Sequence, residues 1–221
     1  MKKQPMAVQA MLQGVCSFNN KMYRLCPDVS TGFCGLNYVR HHMQIQGVAA
    51  SDRTLTDGLS RTFLVESVIE VKVVNGTYSY TVLPVAAPYL KQYSAPAAEP
   101  SSAQRTVAMA WESGELVGCI QLRMNWNGLV AIDDLAVLPH ARKQGIGSAL
   151  LAEAKRWAAH QGHFGLVAET QNTNVPACLL YERAGFVLGG CDSKLYSAIP
   201  DHCHEVALFW YWKSPSTPSD A

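Results

Sequence analysis

The chain has 221 residues, 16% of them charged, and a formal net charge of +1. That length suits one domain with an appendage better than two full domains. The near-neutral balance argues against a nucleic-acid or anionic-membrane partner, and no apolar run approaches the length needed to cross a bilayer.

Residues 1–5 begin with charge, but residues 6–15 are broken by glutamines and lack a clear cleavage site. No signal peptide is expected, which places the protein in the cytoplasm. The seven cysteines show no C-x-x-C spacing, so reduced thiols are expected rather than a disulfide framework or a zinc ribbon. Residues 1–60 show no sustained periodicity. They read as an N-terminal extension, poorly ordered or loosely docked.

From Thr62 the texture changes to β-branched residues that partly alternate, as far as Val74. Asn75-Gly76 is a tight-turn signal, and residues 78–83 resume as strand. This is either a hairpin or a strand after a turn. Pro84 and Pro88 are expected to break the pattern, with a short helical turn over residues 89–93 and an exposed Pro/Ala/Ser-rich loop over 94–104. Residues 106–111, 116–124 and 129–138 then form a three-strand meander, which favours antiparallel pairing. Gly118 within it suggests a bulge or a close backbone approach.

A basic loop with two glycines follows Pro139, and a helix is expected over residues 147–161. Ala149, Leu150, Ala154, Trp157 and Ala158 form its apolar stripe, with Glu153, Lys155 and Arg156 off it. Gly162 is placed as its C-terminal cap. Residues 165–170 are a strand, so strand, helix and strand make a right-handed crossover with parallel strands. Asn174 caps the next helix, with Pro176 in its first turn and Gly185 at its end. Residues 186–188 and 205–212 are strands. Asp201-His202-Cys203-His204-Glu205 has a metal-binding composition but reads as a polar loop, and no metal is expected. Residues 214–221 are disordered in composition.

The junction over Arg142, Lys143, Gln144, Gly145, Ile146, Gly147 and Ser148 is a strand, a Gly-rich turn and a helix start. Such a junction leaves backbone N–H groups unpaired and aimed one way. The helix dipole adds positive charge there, so an anion binds readily. The two glycines are expected to let a phosphate approach the backbone.

Arg142-x-x-Gly145-x-Gly147 resembles motif A of the GCN5-related N-acetyltransferases (GNAT). Asn174-x-x-Ala177-x-x-x-Tyr181-x-x-x-Gly185-Phe186 resembles the second signature of that superfamily. Trp126-Asn127, Glu169-Thr170-Gln171, Asn174 to Cys178, Gly189-Gly190-x-Asp192, Trp210-Tyr211-Trp212 and Pro88-Tyr89-x-Lys91-x-Tyr93 are similar to streptothricin acetyltransferases. The likeness spans roughly residues 62–213. It implies a mixed α/β (α+β) GNAT fold over residues 61–213, with a central, mostly antiparallel sheet flanked by helices and splayed after the fourth core strand.

The resemblance implies acetyl-CoA as donor, with its pyrophosphate on residues 142–148. Leu135, Ala136 and Val137 would offer main-chain hydrogen bonds to the pantetheine arm, and Asn174 would bond the same arm or cap its helix. An alkyl ammonium, with a pKa near ~10, must lose a proton before it attacks a thioester. Asp133, Asp134 and Glu169 are the candidate bases. Adjacent strand residues face opposite ways, so one of the two aspartates faces the cleft. Asp133 is favoured because its position carries an acid in the subfamily. Glu169 ends a parallel strand, where such sheets open their ligand crevice; it would act as base or bind the substrate's ammonium groups. Tyr181 holds the position of the family's general acid.

A polycationic acceptor calls for an acidic, aromatic cleft, for which Trp126, Asp134, Glu169 and Asp192 are the expected residues. The expected activity is acetylation of a primary amine of a small cationic acceptor, streptothricin by resemblance. The same chemistry on a protein N-terminus, polyamine or aminoglycoside, and a non-catalytic acyl-CoA-binding module, are the alternatives. A homodimer is compatible with this reading.

Overall fold

The computed structural model describes residues 15–18, 21–26, 35–38, 43–48, 55–94 and 105–215. Near the N-terminus β1 (Val15–Phe18), β2 (Lys21–Cys26) and β3 (Gly35–Tyr38) pair antiparallel as a small sheet. The strands that follow are β4 (Met43–Val48), β5 (Thr62–Val74), β6 (Thr77–Gln92), β7 (Arg105–Glu112), β8 (Glu115–Met124) and β9 (Leu129–Val137). Then come α1 (Ile146–His160), β10 (Gly165–Gln171), α2 (Val175–Arg183), β11 (Val187–Asp192) and β12 (Ala207–Lys213).

The main sheet runs β11-β12-β10-β9-β8-β7-β4, and every pairing in it is antiparallel except β9 with β10. The β9–α1–β10 crossover therefore forms as the sequence leads one to expect. The parallel register runs only from Leu129↔Gly165 to Ile132↔Ala168. Beyond that point β9 continues to Val137 and β10 to Gln171 without pairing to each other. The sheet splays there, after the β9 strand, as the resemblance implied.

Strand β4 corrects the assignment of residues 1–60 as an extension. It lies along β7, with Met43 opposite Glu112 and Val48 opposite Val107. Met43 and Ile45 are 2% and 3% exposed and belong to the main core. Six residues are too few for periodicity to stand out, yet they alternate buried and exposed at the strand's start.

Residues 62–92 form a long hairpin turning at Asn75 and Gly76, both with positive φ. Neither proline breaks it, and residues 89–92 are strand rather than a helical turn. Val65 pairs with Tyr89 and Ser67 with Pro84, so residues 85–88 bulge out with no ladder partner. Pro88 lies in that bulge and Pro84 at its margin, where a missing N–H costs nothing.

Helix α1 buries Ile146, Leu150, Leu151, Ala154 and Ala158 against the sheet and ends before Gly162, which has φ 74. Glu153, expected off the stripe, is also buried; Arg156 on the next turn neutralises it. Gly118 combines both expectations for it. It lies at a register shift between Ala110 and Trp111, and a Cβ there would stand 2.9 Å from the Ala136 carbonyl. Ser214, assigned to the tail, is buried, and its N–H donates to the Phe164 carbonyl. The rest of the tail after residue 215 and the loop residues 95–104 lie outside the described residues.

Candidate active site

The Gly-rich junction folds as the sequence suggests. Lys143 and Gly145 have φ of 60° and 88°, and Gly145 is the N-cap of α1 with no side chain capping the helix. The first N–H groups of α1 are thus left for an external acceptor. Lys143, Gln144, Gly145 and Ser148 are exposed. Ile146 is buried, so of this residue only the main chain could meet a ligand. Arg142 is turned back: its Nε donates to the Val137 carbonyl at 2.9 Å, and burial lowers its pKa. Gln144 braces the same loop through the His140 carbonyl, also at 2.9 Å.

Gly147 has a packing role besides the one expected of it. A Cβ there would meet Leu180 Cδ2 at 3.0 Å. Its small size serves the packing of α1 on α2, while Gly145 supplies the left-handed turn.

The unpaired reach of β9 faces the splayed gap. The Leu138 N–H donates to the Val117 carbonyl on β8. Antiparallel alternation then points the Ala136 main chain at β8 and those of Leu135 and Val137 into the gap. With the Val137 carbonyl taken by Arg142, the free groups are both main-chain groups of Leu135 and the Val137 N–H. Ala136 therefore drops out of the expected trio.

Asp133 and Asp134 do not face opposite ways. Gln121 pairs with Asp134 and Leu122 with Ile132, which leaves Asp133 as the extra residue of a β-bulge. The bulge breaks the period of two and sends both carboxylates to one face. Asp133 accepts from Arg105 at 3.1 Å and from Arg123 Nε at 3.2 and 3.1 Å. Asp134 takes both arms of buried Arg61, at 3.2 and 2.7 Å. A carboxylate saturated by guanidinium donors is a poor base and a poor ammonium site, so neither expected role is supported.

Glu169 differs from both. It lies one residue past the last parallel pair, is exposed, and has no ion pair among the described residues. Partial burial raises its pKa, opposed by a hydrogen bond that the Tyr196 hydroxyl donates to Oε1. Tyr181 comes from α2, buried against the ring of Phe186 at 5.4 Å. Burial holds its phenol well above the usual range, and the nearby Cys178, Asp134 and Glu169 add to the effect. A phenol kept protonated is suited to donate.

The other expected residues sort by position. Trp126 is 93% exposed in the turn before Leu129. At the rise of an extended strand it stands about 13 Å or more from the splay at Asp133, at the wrong end of the sheet. Asn174 accepts from the Ala177 N–H at 3.3 Å and is an N-cap. Asp192 aligns with Ala207 and, through it, with Gln171, at the site's end of the sheet. Its Oδ1 accepts from the N–H groups of Lys194 and Leu195, at 2.6 and 3.2 Å, so it shapes a loop rather than meeting solvent freely. Among the described residues there is no cluster of three or more metal-ligating side chains.

The hairpin base is the part that sequence reasoning missed. Arg61, just before β5, grips Asp134 on β9. Tyr93, just after β6, donates to Gln171 on β10, and Lys91 reaches Glu205 and Thr173 beyond it. The two ends of the hairpin thus bridge the two sides of the gap. The Pro88-Tyr89-x-Lys91-x-Tyr93 likeness pointed at this stretch without giving it a role, and no local pattern marks Arg61 or Tyr196.

Comparison with known proteins bears on the same residues. The model of the acetyltransferase (GNAT) family matches residues 74–186. Streptothricin acetyltransferase A of Bacillus subtilis (strain 168) is 37% identical over 142 residues, covering 63% of this chain and 82% of its own. A Bacillus anthracis str. Ames protein assigned as a streptothricin acetyltransferase, solved with acetyl coenzyme A, superposes with a TM-score of 0.70 at 31% identity, covering 77% of this chain and 99% of its own. The structure of nourseothricin acetyltransferase gives 0.67 at 26% identity, covering 79% and 99%.

Proposed function

The chain belongs to the acetyltransferase (GNAT) family and is an N-acetyltransferase, and from that premise we propose that it acetylates a primary amine of streptothricin with acetyl-CoA as donor. The observation that carries this reading is the parting of β9 and β10, with the uncapped N-terminus of α1 following β9, Glu169 on β10 just past the last parallel pair, and Tyr181 within electrostatic reach of Glu169 and Asp134. The relatives named for streptothricin, and the one solved with acetyl coenzyme A, support acceptor and donor respectively.

The gap suits acetyl-CoA in three respects. The main chain from Gly145 to Ser148, beside exposed Lys143, would hold the pyrophosphate. Leu135 and Val137 would pair with the pantetheine amides as an added strand does. The donor supplies an acetyl group activated as a thioester. Glu169 would take the proton from the acceptor ammonium, because partial burial raises its proton affinity while an oxygen stays open. Tyr181 would donate its phenolic proton to the leaving sulfur. The free cysteines Cys119, Cys178, Cys191 and Cys203 favour a reducing, cytoplasmic setting.

A thiol-release assay over a panel of amines tests the acceptor. Streptothricin is expected to give the highest kcat/KM, above polyamines, aminoglycosides and an N-terminal peptide. Turnover of another amine with none of streptothricin would refute the acceptor. Binding of acetyl-CoA without turnover of any amine would refute catalysis.

A further inference from the structure

The loop between β11 and β12 is exposed at Ser193, Lys194, Leu195, Ser197, Ala198 and Ile199, yet Tyr196 in its middle is 6% exposed. Its conformation is set from within. Asp192 Oδ1 holds the Lys194 and Leu195 N–H groups, the Ser197 N–H donates to the Lys194 carbonyl at 3.0 Å, and the Ile199 N–H donates to the Tyr196 carbonyl at 2.9 Å. These bonds turn one aromatic side chain inward, and its hydroxyl donates to Glu169 Oε1.

We propose that Tyr196 is a positioning residue that fixes the Glu169 carboxylate toward the acceptor amine, with Oε1 tied and Oε2 left to take the proton. The inference rests on the reading of Glu169 as proton acceptor. A free glutamate at a strand end samples several rotamers, and tying one oxygen leaves the other in a single place. In the step itself an ammonium N–H bond breaks and an O–H bond forms at Oε2, leaving a neutral amine to attack.

The groups around Glu169 set how the pair titrates. Tyr93 approaches from β6 and Tyr181 from α2, both within electrostatic reach of Glu169 and both protonated at neutral pH. Glu205 acts on Tyr196 and Tyr93 and is itself paired with Lys91. Asp134, across the gap, is bound by Arg61. Tyr196 is thus the one hydrogen-bond partner of Glu169 among the described residues. Its bond favours the charged carboxylate, so removing it must raise the pKa of Glu169.

The test is the pH profile of kcat/KM with streptothricin and acetyl-CoA for the wild type, Tyr196→Phe, Glu169→Gln and the double variant. Tyr196→Phe is expected to move the acidic limb up by about one pH unit, so that the rate on that limb falls about tenfold and recovers at higher pH. Glu169→Gln should lose that limb, its rate climbing about tenfold per pH unit with the neutral fraction of the amine. The double variant should match Glu169→Gln. The position of the limb, unlike its height, does not depend on the fraction of enzyme folded. An unmoved limb in Tyr196→Phe, with the limb lost in Glu169→Gln, would overturn the role of Tyr196 alone. A wild-type limb and rate in Glu169→Gln would overturn the reading of Glu169 and the inference with it.

Discussion

Tyr181 and Asp133 both stand at positions that a family resemblance marks, and their surroundings separate them. Burial keeps the Tyr181 phenol protonated, whereas Asp133 spends both oxygens on Arg105 and Arg123. Tyr181→Phe should lower kcat about 100-fold, the range of a lost general acid, with acetyl-CoA affinity by calorimetry changed little. Asp133→Asn should keep kcat within about twofold and lose about 1–3 kcal/mol of stability, the range for a hydrogen-bonded charged group, read from the urea midpoint. A 100-fold loss of kcat in Asp133→Asn would return it to the chemistry. The side chain of Tyr181 was legible because its signature sits on a regular helix. That of Asp133 was not, because a bulge removes the alternation by which a strand residue's face is read.

At the scale of elements, one side chain joins three of them. Asn172, just past β10, donates from Nδ2 to the Ile69 carbonyl and accepts at Oδ1 from the Val206 N–H. Its main chain pairs with the same two residues. It clasps hairpin β5–β6 and the entry to β12 onto the exit of β10. Asn172→Ala deletes one buried and one part-buried hydrogen bond and orphans their partners, so a loss of about 2–4 kcal/mol is expected. Faster amide exchange at Ile69 should accompany the lower urea midpoint; unchanged exchange there would show that the hairpin is held elsewhere. The hairpin turn was readable from Asn75-Gly76, and helix α2 from Asn174 and Pro176. The course of β6 through Pro84 and Pro88 was not, since a proline's cost depends on whether its missing N–H faces a partner.

For the whole molecule, the edge strand β4 is the least expected member of the sheet. It covers β7, which would otherwise present an open row of backbone groups. A chain beginning at residue 51 lacks it and with it the burial of Met43 and Ile45. About 3–6 kcal/mol should be lost, at the usual worth of two buried apolar side chains, and the truncated protein should associate at concentrations where the full chain does not. Equal melting temperatures for the two chains would show that β4 adds nothing to the fold.

The sequence by itself determined the meander, the parallel crossover, the Gly145 turn and both helix caps. Each of these is local, written in residues a few positions apart, where backbone preference and side-chain period act directly. Only the tertiary structure decided which carboxylate stays open. Asp133, Asp134 and Glu169 are alike in the chain, and their partners lie 10 and 28 residues away for the first, 73 for the second and 27 for the third. Two meet guanidinium groups and one a phenol, and no local rule carries that difference. Proton affinity depends on what folding places within a few ångströms, and that is fixed when the sheet splays and the hairpin closes over it.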